Sequence, residues 1–106
     1  MPKYLLQASY TAEGAKGLLK DGGSKRRAAA KTLVESLGGK IDCFYFAFGK
    51  SDVFAVVDLP DAVSAAAASL TIGASGAVAG RVTVLLTPEE IDQAAKKSTK
   101  YTPPGK

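Results

Sequence analysis

The stretch KIDCFYFAFGKSDVFAVVDL, residues 40–59, constrains this chain most. Two apolar runs of strand length, rich in aromatic and β-branched residues, are separated only by Gly49-Lys50-Ser51-Asp52. A link that short predicts two antiparallel strands joined as a tight hairpin. An isolated hairpin is not stable in water, so the rest of the chain must add strands to this ribbon or cover it.

The flanking segments do both. KYLLQASY, residues 3–10, reads as a strand with Tyr4, Leu6, Ala8 and Tyr10 on one face and the more polar set Leu5, Gln7 and Ser9 on the other. TAEGAKGLLKDGG, residues 11–23, carries four glycines. It is predicted as a turn, with one short helical turn around Lys16 to Lys20 and an exit at Gly22-Gly23. Ser24 is placed to cap a helix from Lys25 to Leu37, where Ala30, Leu33, Val34 and Leu37 have helical period and Gly38-Gly39 supplies the stop. Pro60 and Asp61 start a second, alanine-dense helix over Ala62 to Leu70, whose small side chains imply close packing. RVTVLLT, residues 81–87, alternates Val82, Val84 and Leu86 against Arg81, Thr83 and Leu85. Thr87, Pro88, Glu89 and Glu90 then open a short helix as cap, first residue and first-turn acids.

This order predicts an α+β, ferredoxin-like βαββαβ domain: a four-stranded antiparallel sheet, helices on one face, and an extra short C-terminal helix. The domain is expected to span residues 1–95, with a basic, Pro- and Gly-containing tail over 96–106. The face without helices still carries large apolar groups. Exposed apolar area costs ~25 cal/mol per Å2, so self-association is the expected remedy.

Composition narrows the chemistry. The chain has 106 residues, enough for one core, and its single cysteine, Cys43, cannot form an intrachain disulfide. It contains no histidine, which removes the commonest general base near neutral pH and the usual haem and copper ligand, so no metal or cofactor is expected. The net charge of +4 is matched by Lys96, Lys97, Lys100 and Lys106 in the acid-free tail, leaving a neutral body. A nucleic-acid partner is therefore not expected, and Lys25-Arg26-Arg27 reads as solvated helix surface. The Ala62–Gly80 stretch lacks the greasy centre of a membrane span, and a soluble, cytoplasmic protein is expected.

Gly49-Lys50-Ser51 superficially matches the end of a phosphate-binding loop. Such a loop needs a second glycine five positions earlier, where Phe44 stands, and a helix afterwards, where a strand follows. A hairpin turn with Gly49 at positive φ is the reading retained. Asp52 is expected either to fasten that turn or to reach a pocket. Asp42 and Asp58 read as strand-end residues, and Cys43 as a small hydrophobe. Tyr45 and the phenylalanines 44, 46 and 48 divide between the two sheet faces. Gln7, Ser9, Arg81 and Thr83 share the polar parity of the first and last strands. They form either a solvent-wetted edge or, with Tyr45 and Asp52, a polar ligand pocket.

The run MPKYLLQASYT-EG, the Arg-bearing helix ending in ESLGGKI, CFYFAFGKSDVFAVVDLPD, the alanine-rich helix and VTVLLTPEE together resemble the GYD-domain family of the dimeric α/β-barrel superfamily, over residues 1 to about 95. The family's Gly-x-Tyr-Asp signature aligns with Gly49, Lys50, Ser51 and Asp52, with Ser51 in place of tyrosine. The resemblance implies the fold and self-association. Superfamily relatives range from cofactor-independent oxygenases and isomerases to haem enzymes and ligand-sensing domains, so it names no activity. The leading expectation is a small homo-oligomeric protein that binds a small molecule at the open sheet face or subunit interface. Two others stay open: a cofactor-independent isomerase or monooxygenase using Asp52 or Tyr45, and a scaffold component that docks an acidic partner through its basic tail.

Overall fold

A computed structural model describes residues 1–106. The elements run β1 (Lys3–Tyr10), α1 (Ala12–Asp21), α2 (Gly23–Ser36), β2 (Lys40–Phe46), β3 (Val53–Asp58), α3 (Ala62–Ala74), β4 (Val78–Leu85) and α4 (Pro88–Ala95). The sheet order is β2-β3-β1-β4 and every pairing is antiparallel. This is the anticipated split βαβ order. The hairpin across residues 40–59 forms the β2-β3 half, and β1 and β4 pair along their full lengths, Lys3 with Leu85 through Tyr10 with Val78.

The helices cover one face. Alternation sends Tyr4, Leu6, Ala55 and Val57 beneath them, where Val57 and Leu59 are fully buried and Val34 of α2 and Ala65 of α3 close the core. α2 lies over the β2 side and α3 over the β4 side. The alanines of α3 have the anticipated use: Ala65 and Ala68 are buried, and only small side chains allow so close an approach.

Four local expectations are corrected. Residues 12–21 form a ten-residue helix, not a turn. Thr11 caps it by accepting the Gly14 N–H, and Gly14 stands where the helix meets Ala77, the residue before β4, since a Cβ there would overlap the Ala77 carbonyl oxygen. Glycine here permits a close approach and does not break the helix. Ser24 caps nothing; α2 begins at Gly23, two residues before Lys25, after Gly22, whose φ of 83° turns the chain between α1 and α2. Gly49 does not adopt positive φ. Arg26 is half-buried, unlike its neighbours Lys25 and Arg27, which are exposed.

The C-terminal helix starts as its sequence dictates. Thr87 and Glu90 form a reciprocal capping box, with Pro88 at the first helical position. Every residue from Leu86 to Lys106 is exposed, so α4 and the tail project from the domain. The chain measures 57 × 33 × 23 Å with a radius of gyration of 16.9 Å. A compact chain of this length would have about 13 Å.

Candidate functional site

The sheet face without helices is built by parity. β1 contributes Lys3, Leu5, Gln7 and Ser9. Opposite them stand Phe54, Val56 and Asp58 of β3, and Arg81, Thr83 and Leu85 of β4. On β2 the pairing slips between Ile41 and Cys43. That bulge turns both Asp42 and Cys43 toward the open face and returns Phe44 to the helix side, where it meets Phe46 edge-to-face at 5.4 Å. Tyr45 pairs with Phe54 and is 68% exposed.

The face has three zones. At one end Lys3 is bound by two carboxylates, Asp42 and, at 2.9 Å, Asp58, with Lys40 at 3.8 Å from Asp58. Asp58 is only 5% exposed. Its hydrogen bond from the Lys3 ammonium holds its carboxyl below the ordinary range, against the upward push of burial. The same bonds, to Asp42 first and then Asp58, raise the Lys3 ammonium. The centre is apolar: Leu5, Val56, Phe54 and Cys43, flanked by Tyr45. At the far end Arg81 Nε donates to Gln7 Oε1 at 3.0 Å, and Ser9 Oγ donates to the Lys50 carbonyl at 2.8 Å.

Of the residues singled out from sequence, Gln7, Ser9 and Arg81 meet in one shallow hollow beside Lys50 and Ser51 of the hairpin loop. Thr83 lies on the same face, opposite Leu5 and outside that hollow, and Tyr45 stands across the sheet on β2. Asp52 is elsewhere. Its carboxylate accepts the Tyr10 N–H at 2.8 Å, its own N–H donates to the Ala8 carbonyl at 2.8 Å, and its carbonyl accepts from Ala47. It fastens the hairpin to the end of β1.

The family model described as GYD domain matches residues 4–95. The chain belongs to the GYD domain family. No curated protein and no solved structure gave a significant match. The match to the GYD domain ends where α4 ends, at Ala95, and the lysine-rich tail lies beyond it. No helix of this GYD domain is long and apolar enough to cross a membrane.

Sequence reasoning overlooked the Lys3-Asp42-Asp58 cluster. Lys3 and Asp58 end the strands that become neighbours, and the sequence signal was their opposite charge at matching parity. The bulge that brings Asp42 to the same lysine left no such signal.

Proposed function

We propose that this GYD domain works as a homo-oligomer that closes its open sheet face against a second copy and binds a small molecule in the enclosed space. One observation carries the reading: the chain alone exposes 7477 Å2. A compact monomer of 10.9 kDa exposes about 5,600 Å2. The excess of about 1,900 Å2 belongs to a chain that is not closed on itself: one sheet face has no helix over it, and residues 86–106 are all exposed. A standard interface removes about 800 Å2 from each partner.

The face suits that use. Its apolar centre is bounded by ionic and amide pairs, the pattern of an apolar patch with a polar rim. Phe48, at the hairpin tip, is fully exposed and offers a second anchor for a neighbouring copy. Gln7, Ser9 and Arg81 would supply the polar contacts to a ligand held there. With the Asp52 carboxylate committed to the Tyr10 N–H, a proton-transfer role for that residue loses its support.

Native mass spectrometry of the full chain purified from its own host tests both halves together. A mass of two or more copies, with added mass from a retained small molecule, is the expected result. A bare 10.9 kDa species at micromolar concentration overturns the reading.

A further inference from the structure

A second hollow lies on the other side of the sheet, beneath the helices. Leu6, Phe44 and Val53 form its floor, and Leu33 of α2 and Ile72 of α3 form its walls. Its volume is about 150 Å3. Apolar cavities of that size hold a benzene-sized body. Fourteen of the fifteen lining residues are apolar, so the exception decides what the hollow can recognise. That exception is Arg26.

Arg26 stands on the core-facing stripe of α2. Ala29, Ala30, Leu33 and Val34 follow it at the spacing that keeps one helix face inward, and all four line the same hollow. An apolar residue would continue the stripe. Arg26 is half-buried as a residue, and its guanidinium has no hydrogen bond or ion pair. The chain's ion pairs engage Lys3, Lys16, Lys25 and Lys40 instead, and no acidic residue lines the hollow. A guanidinium that lines an apolar hollow and has no carboxylate partner is free to receive an anion there. A guanidinium fork matches a carboxylate in two parallel hydrogen bonds. Arg26 is the one cation that lines the hollow, which suits a monoanion better than a phosphate dianion.

We propose that this hollow binds a small monocarboxylate with a compact apolar body. The body fills the space between α2, α3 and the sheet, and the carboxylate sits on Arg26 at its mouth. The inference goes beyond the proposed function: it adds a site on the helix side of the sheet and depends neither on self-association nor on a ligand at the open face.

Amide chemical-shift titrations of the full chain with benzoate, benzyl alcohol and inorganic phosphate test it. Benzoate should bind saturably with shifts at Ala30, Phe44 and Val53, at least about tenfold tighter than benzyl alcohol, and phosphate should not saturate. Arg26→Gln should remove that preference while leaving benzyl alcohol binding unchanged, Arg26→Lys should restore part of it, and Ala30→Leu should weaken both aromatic probes by filling the space.

Equal affinity of the native chain for benzoate and benzyl alcohol overturns the proposal, and this comparison needs no variant to fold. So does an absence of saturable binding, or benzoate shifts confined to Gln7, Arg81 and Thr83. Light scattering on the same samples keeps the two ideas apart: a monomer that binds benzoate refutes assembly alone, and an oligomer indifferent to benzoate refutes the cavity alone.

Discussion

Removing the Asp52 carboxylate should loosen the hairpin from β1 without touching the core. The regular β1-β3 ladder ends at Ala8 opposite Val53. Asp52 adds one further rung: its N–H reaches the Ala8 carbonyl and its carboxylate takes the Tyr10 N–H, each at 2.8 Å. Asp52→Ala deletes the second bond and leaves a part-buried N–H without a partner. Hydrogen bonds to charged groups contribute about 1.5–3 kcal/mol, and partial exposure of this one places the loss near 2 kcal/mol. With a urea slope of about 1.5 kcal/mol/M, the midpoint should fall by about 1.3 M. Asp52→Asn keeps an acceptor oxygen but not the charge, so its loss should be about half as large. Equilibrium urea unfolding at one fixed protein concentration measures both, because self-association makes the midpoint concentration-dependent. An Asp52→Ala midpoint within about 0.2 M of the native value, on the same slope, would refute the fastening role.

Other expectations follow from the same geometry. Gly14→Ala and Gly17→Ala should have opposite signs although both glycines lie in α1. The first drives a Cβ into the Ala77 carbonyl and the second meets nothing within 4 Å, so thermal unfolding should show a loss at 14 and a gain of about 0.5–1 kcal/mol at 17. Because the Asp58 carboxyl lies below its ordinary value of 3.8 in the folded chain, its contribution is present above that value and lost as pH falls through the lowered one. Asp58→Asn should therefore flatten the acid limb of the stability profile below about pH 4, read by urea midpoints across pH. Lys3 has the opposite sign: its raised ammonium contributes fully below 10.5 and loses that contribution at higher alkalinity, so Lys3→Met should flatten the alkaline limb.

Much of the architecture was legible because strand alternation and the Gly49–Asp52 link allow few pairings. β1 and the Arg81–Leu85 part of β4 alternate in sequence, and the parity read for Leu5, Gln7 and Ser9 against Arg81 and Thr83 is the observed register. α1 was misread because Gly14 and Gly17 look like helix breakers when local propensity is the only guide. The reason for Gly14, a backbone contact with Ala77, is a tertiary fact. β2 hides its bulge in an unbroken apolar run, so the convergence of Asp42 with Asp58 on Lys3 could not be read from spacing. Arg26 was grouped with its charged neighbours. Its helical offset from Ala30, Leu33 and Val34 already placed it inward, and that spacing was the better signal.

The claim that a second copy closes the open sheet face is tested most directly by Cys43, which that face carries as the chain's single thiol. The measurement is the rate at which an aromatic disulfide reagent modifies Cys43, compared between the native chain and Val56→Asp, whose new carboxylate would stand in the middle of the face. Closure predicts slow modification at micromolar concentration, acceleration on dilution, and a fast, concentration-independent rate in a still-folded Val56→Asp. Equal rates in the two proteins at every concentration would contradict it.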